Sequence, residues 1–173
     1  MLAASEMDNS RFPPPRIDPL EKAIRKSCTV NAGIDDVWEA WTTQEGVQTF
    51  FAPEAGVDFR IGGSYEMYFS PERPRGSRGG EGNRILSYLP KTMLSFEWNG
   101  PPSIPSVREE KTWVVVQLEP FGRGMTVVKM THCGWGEGKA WEDVFEYFTK
   151  AWDIVLARLQ SRFSKGPIDW DAI

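Results

Sequence analysis

The chain has 173 residues and a formal net charge of −4, which fits a single domain and disfavours nucleic acid as its main partner. No apolar run is long enough to span a membrane, and residues 1–20 lack the apolar core of a signal peptide, so we predict a cytoplasmic protein. One histidine and two separated cysteines are too few for a metal site or a disulfide framework.

The composition divides the chain into three predicted segments. Residues 1–20 are polar and contain three consecutive prolines, which indicates a disordered leader. Residues 21–166 carry the alternating and helical apolar patterns, so they should form the folded domain. Residues 167–173 follow a glycine that can end a helix, and they form a tail.

The domain should begin with a strand and two short helices. Alternation over residues 21–31 predicts the strand, although Lys26 falls on its inner face. Val37 and Trp38 mark the buried side of a first helix, and residues 44–50 favour a second helical piece.

Six further strands are predicted from alternating apolar residues. They span residues 56–61, 64–69, 83–89, 92–98, 110–119 and 125–133. Two of the connections between these strands are predicted to be longer loops. Residues 70–82 are rich in glycine and charge, and residues 100–107 contain three prolines that prevent strand pairing.

The last third of the chain predicts one long amphipathic helix. From Trp141 onward an apolar residue falls at every third or fourth position. The stripe comprises Trp141, Val144, Phe145, Phe148, Trp152, Val155, Leu156, Leu159 and Phe163. Short connections make the preceding sheet antiparallel, so the class is α+β. A helix of this length needs a concave partner, so we expect the sheet to curve around it and to leave a cavity.

Several short motifs connect this order of elements to a known fold. They are Val37-Trp38, Asp58-x-Arg60-x-Gly62-Gly63, Leu94-x-Phe96-x-Trp98 and Val128-x-Met130-x-His132-x-Gly134-Trp135. In this order they resemble the START-like, or SRPBCC, superfamily, and specifically the family named after the C-terminal domain of the activator of heat-shock protein 90 ATPase. The resemblance implies a helix-grip fold, with a curved seven-stranded antiparallel sheet around the C-terminal helix and two short helices after the first strand.

The resemblance also limits the functions to be considered. Superfamily members bind lipids, hormones or polyketides in the cavity, and some catalyse cyclisation or hydrolysis there. It therefore implies binding of a small hydrophobic molecule. Two alternatives stay open, namely a chaperone-linked protein-interaction module and an enzyme that uses the same cavity. We expect no cofactor, because the chain lacks a phosphate-binding motif. Such domains can also pair, so a homodimer is compatible with the resemblance.

The inward-facing parity of the predicted strands and helix gives a candidate ligand-binding wall. It consists of Phe59, Met67, Phe96, Trp98, Val114, Met130, Phe148 and Trp152. His132 shares this parity and is the polar contact of the predicted site. It would serve either as a ligand hydrogen-bonder or general base, or as a structural histidine bonded to a backbone carbonyl near Gly134. Cys133 should face away from it, so no catalytic residue is predicted.

Overall fold

The computed structural model describes residues 22–173, so the predicted leader lies outside the described residues. The strands are β1 (Ile24–Val30), β2 (Glu54–Val57), β3 (Tyr65–Tyr68), β4 (Gly79–Gly80), β5 (Ile85–Leu89), β6 (Met93–Trp98), β7 (Thr112–Phe121) and β8 (Met125–Cys133). The helices are α1 (Ile34–Thr42), α2 (Gln44–Gln48) and α3 (Lys139–Lys165). This order confirms the α+β class and the helix-grip arrangement. The predicted domain limits stay predictions.

The strands pair antiparallel, as expected, but they form two sheets instead of one with seven strands. One sheet has the order β1-β8-β7-β6-β5 and the other the order β2-β3-β4. Backbone bonds join them, since Tyr65 N donates to Asn83 O and Ile85 N donates to Gly63 O, each at 2.9 Å. The additional strand is β4, which lies in the segment predicted as a loop. Its two glycines show no side-chain alternation, so its pairing with β3 has no sequence signal.

The strand predicted over residues 56–61 is wrong in its second half. The chain leaves β2 after Val57 and enters a tight turn, in which Gly63 N donates to Arg60 O at 2.8 Å. Gly62 adopts a φ of 78°, a conformation that glycine tolerates without strain. As a result Ile61 is 66% exposed, and Phe59 is only partly buried, at the edge of the core.

Helix α3 lies across the concave side of the sheets. It has 27 residues and is therefore roughly 40 Å long at 1.5 Å per residue. Its buried stripe comprises Trp141, Val144, Phe148, Trp152, Val155, Leu156 and Leu159. The opposing inner positions of β7 are Thr112, Val114, Val116 and Leu118, which are buried as their parity predicts. The helix ends at Gly166, whose φ of 105° stops further helical hydrogen bonding.

The C-terminal tail is fixed to the end of α2. Ile168 N donates to Thr49 O at 2.9 Å, and the indole N–H of Trp170 donates to Gln48 O at 2.7 Å. These bonds bring Trp170 back beside the last turns of α3, where it contacts Arg158.

Candidate functional site

A cavity of about 230 Å³ opens between α3 and the ends of β4 and β6. It is lined by Phe51, Phe69, Gly79, Gly80, Trp98, Asn99, Gly100, Pro101, Pro102, Tyr147, Phe148, Ala151, Trp152, Ile154, Val155 and Arg158. The lining is dominated by aromatic and aliphatic side chains, with one charged residue. That composition is typical of a site for a small organic molecule.

Three aromatic rings form the floor of the cavity. Phe51 stacks on Trp98 with 5.5 Å between ring centroids and 15° between planes. Trp152 lies 5.7 Å from each of these two rings, so the three side chains hold one another in place. All three are buried, and a planar apolar group entering the cavity would meet a rigid surface.

The outer wall comes from a second stripe on α3. Tyr147, Ala151, Ile154 and Arg158 follow one another at spacings of four, three and four residues, which places them on one face of the helix. Tyr147 is 46% exposed and Ile154 is 53% exposed. Two large apolar side chains therefore border an opening to solvent, at positions that the buried stripe of α3 does not include.

The opposite wall is built largely from backbone. A Cβ atom added to Gly80 would lie 3.1 Å from Cη2 of Trp98, and one added to Gly79 would lie 2.5 Å from Cδ2 of Phe69. Gly79 also has a φ of 143°, which side-chain-bearing residues rarely adopt. Strand β4 thus lies flat against Trp98 because its residues carry no side chains.

Only some of the residues predicted to form the ligand-binding wall line this cavity. Trp98, Phe148 and Trp152 lie on it. The side chains of Met67, Phe96, Val114 and Met130 are fully buried in the packed core and do not reach it. Phe59 lies elsewhere, with its ring 5.8 Å from that of Trp38 and 4.9 Å from that of Tyr88. A parity argument selects inward-facing side chains but cannot tell a filled core from an open one.

His132 is completely buried behind the cavity floor and makes hydrogen bonds through both ring nitrogens. The indole N–H of Trp152 donates to His132 Nδ1 at 3.0 Å. An indole nitrogen can only donate, so Nδ1 carries no proton and Nε2 donates to Thr112 Oγ1 at 2.7 Å. The Thr112 hydroxyl donates in turn to the carbonyl of Trp98 at 2.9 Å.

This series of hydrogen bonds gives His132 a structural role. Its ring is a neutral tautomer that connects Trp152 to Trp98, two of the three floor residues. Burial lowers the pKa of His132 from 6.5 to about 3, since no described acidic side chain compensates the charged form. A base that is uncharged, fully hydrogen-bonded and out of reach of the cavity cannot accept a proton from a ligand. A structural role was one of the two that the sequence left open, but the ring bonds to Thr112 and Trp152 and not to a backbone carbonyl near Gly134.

The lowered pKa of His132 makes protein stability depend on pH. In the unfolded chain this histidine, the only one present, titrates near pH 6.5. As the pH falls below 6.5, the unfolded state binds a proton that the folded state rejects down to about pH 3. We expect the free energy of unfolding to fall by about 2 kcal/mol between pH 7 and pH 5. Urea denaturation at both pH values measures this loss, which should nearly disappear in the His132→Gln variant.

A second cavity, of about 670 Å³, is polar and is lined mainly by β3, the segments that flank β4 and the residues just before β7. Its charged groups are mostly paired with protein atoms. The Tyr68 hydroxyl donates to Glu66 Oε2 at 2.6 Å, and burial together with this hydrogen bond raises the pKa of Tyr68 to about 12. Lys111 donates to Asn83 Oδ1 at 3.0 Å, and burial lowers the pKa of Lys111. These contacts hold the loops around β4 together, so we assign this cavity a structural role.

Two features are not found in the part of the chain that the structure describes. Residues 22–173 contain no cluster of histidine, cysteine, aspartate or glutamate side chains suited to a metal ion. Within the same range, none of the helices combines the length and apolar character needed to cross a bilayer.

Comparison with known proteins identifies a family. The profile of the family described as Activator of Hsp90 ATPase homolog 1-like protein matches residues 31–164. This range includes β7, β8 and nearly all of α3. A search of curated proteins found no significant match.

Solved structures from several bacteria share the fold. The Aha1 dimer from Colwellia psychrerythraea is 20% identical, with a TM-score of 0.64 over 84% of this chain and 98% of that one. Protein MLL2253 from Mesorhizobium loti is 14% identical, with a TM-score of 0.67 over 85% of this chain and 100% of its own. CalU16 from Micromonospora echinospora is 21% identical, with a TM-score of 0.60 over 85% of this chain and 76% of its own. At these identities the similarity establishes the fold alone.

Proposed function

The chain belongs to the Activator of Hsp90 ATPase homolog 1-like family, and from that premise we propose that it is a cytoplasmic protein that binds a small, largely apolar molecule. The helix-grip fold of this family supports a small ligand-binding domain. The observation that carries the proposal for this chain is the solvent-accessible cavity floored by Phe51, Trp98 and Trp152.

The size of the cavity limits the ligand. An apolar cavity of about 150 Å³ is large enough to bind benzene. The cavity in this chain, at about 230 Å³, therefore suits a molecule of one or two rings. A larger ligand would have to extend past Tyr147 and Ile154 into solvent, where the exposed parts of these side chains could cover it.

Native mass spectrometry of protein purified gently from its own host tests the proposal directly. We expect a bound adduct that is released on denaturation and whose mass fits a one- or two-ring compound. A neutral aromatic probe, 2-naphthamide, provides an independent test by isothermal titration calorimetry. Absence of both the adduct and probe binding would contradict the proposed function.

Filling the cavity should abolish binding. Ala151 lies on the lining and is half-buried, so an indole placed there by Ala151→Trp should occupy the space over Trp152. We expect the affinity for 2-naphthamide to fall by at least about tenfold. Ala157→Trp is the matched control, because Ala157 lies exposed on the same helix and should leave binding unchanged. Equal binding by both variants would place the ligand elsewhere.

A protein-interaction module would need an exposed apolar patch for its partner, and an exposed tryptophan such as Trp113 is a candidate for one. Trp113 is 41% exposed, but its ring lies directly over Gly134, where an added Cβ would be 2.4 Å from Cζ3. Gly134 directly follows β8, and an aromatic ring that covers a glycine at a sheet edge stabilises the sheet. The exposure of Trp113 therefore does not by itself indicate a partner.

The enzyme alternative depended on His132 acting with a pocket water. This histidine has no exposed surface and uses both ring nitrogens within the protein. The geometry thus gives His132 no path to a ligand, and nothing else in the cavity lining pairs a nucleophile with a base.

A further inference from the structure

The apolar cavity contains one charged residue, Arg158, whose side chain lies at the edge of the lining. Its guanidinium makes no hydrogen bond or ion pair with any residue in the range 22–173. The buried Arg108, by contrast, donates to three backbone carbonyls and to Glu81. Arg158 is therefore a cation whose five N–H donors are available at the mouth of an apolar site.

The tail of the chain fixes the position of this cation. The guanidinium carbon of Arg158 lies 5.0 Å from the ring centroid of Trp170, in a cation–π contact. Trp170 is itself held by the hydrogen bond from its indole N–H to Gln48 O. Arg158 is half-buried, so its charge has lost part of its hydration, and this burial lowers the pKa of Arg158. A partly dehydrated cation that has no carboxylate or hydrogen-bond acceptor within residues 22–173 favours a bound anion.

From this arrangement we infer that the ligand of the cavity is a small aromatic carboxylic acid. Its ring would lie against Trp98 and Trp152, and its carboxylate would accept two parallel N–H bonds from Arg158 at the mouth. The planar fork of a guanidinium matches a carboxylate better than it matches a neutral polar group. The inference rests on the proposed function, because it requires that the cavity binds an aromatic molecule.

The test compares two probes of the same shape that differ in charge, 2-naphthoate and 2-naphthamide, by isothermal titration calorimetry at pH 7 and low salt. We expect the wild-type protein to bind 2-naphthoate about tenfold more tightly than 2-naphthamide. In Arg158→Gln this preference should vanish while the affinity for 2-naphthamide is retained. Retained amide binding also shows that the variant is folded. Arg123 is exposed in the turn between β7 and β8 and does not line the cavity, so Arg123→Gln should keep the preference.

The outcomes separate this inference from the proposed function. Equal affinity of wild type for both probes would overturn the inference and leave the proposed function standing. A preference for 2-naphthoate that persists in Arg158→Gln would also overturn it, because another cation would then be responsible. If neither probe binds wild type, the inference fails, and the proposed function fails with it when native mass spectrometry also shows no adduct.

Discussion

Replacing His132 by alanine is expected to lower the free energy of unfolding by about 4 kcal/mol. Two costs add in this variant. The missing ring leaves a void in a fully packed region, and the indole N–H of Trp152 loses its acceptor while it stays buried. Urea denaturation at pH 7 measures the change, and the slope of the transition should stay close to that of wild type.

Lys129→Ala provides a control on the same strand. Lys129 is exposed and pairs with Glu119 at 2.7 Å on the outer face of β8, so its removal should cost less than about 1 kcal/mol. A His132→Ala variant no less stable than Lys129→Ala would mean that the bonds of His132 do not hold the cavity floor. The role assigned here to His132 would then be wrong.

The elements that sequence periodicity predicted well are those with one buried face. In β8 every second position is buried, and in α3 the buried positions recur at helical spacing; the predicted limits of β8 match the observed strand, Met125–Cys133. Glycine and turn residues carry no such signal. Periodicity therefore does not predict β4, and it wrongly extends β2 into the turn before Gly63.

Most of the cavity lining could not be predicted for a related reason. Gly79 and Gly80 contribute backbone, and their position depends on long-range pairing with β3. One signal was present in the sequence, however. Tyr147, Ile154 and Arg158 lie on α3 at helical spacing beside the buried stripe, and a second stripe of this kind marks a helix face that borders an opening.

The same limit applies to the partners of His132. The strand parity correctly turned its side chain inward, but its hydrogen bonds go to residues 20 positions away in either direction along the chain. Only the antiparallel register that sets Val114 opposite His132 brings Thr112 within reach. The choice between a ligand contact and a structural bond therefore needed the fold.

Replacing Arg108 by methionine is expected to lower the free energy of unfolding by about 3 kcal/mol and to open the segment around β4. Arg108 donates to the carbonyl oxygens of Gly76, Gly79 and Gly100 at 3.1, 2.8 and 2.6 Å. It also lies 3.2 Å from Glu81 Oε2, and both side chains are nearly buried. Methionine fills similar space but satisfies none of these acceptors, and it leaves the Glu81 carboxylate buried without a cation.

Because Arg108 bonds to the carbonyl of Gly79, its loss should also weaken the ligand cavity. We expect faster amide hydrogen exchange at residues 76–82 and weaker binding of 2-naphthamide, although Arg108 does not line that cavity. Arg108→Lys should rescue little, since one ammonium group cannot reach acceptors on both sides of β4. Arg84→Met, at an exposed position, is the control and should change neither property. Unchanged exchange at residues 76–82 in Arg108→Met would show that β4 is held by its pairing with β3 alone, without help from this guanidinium.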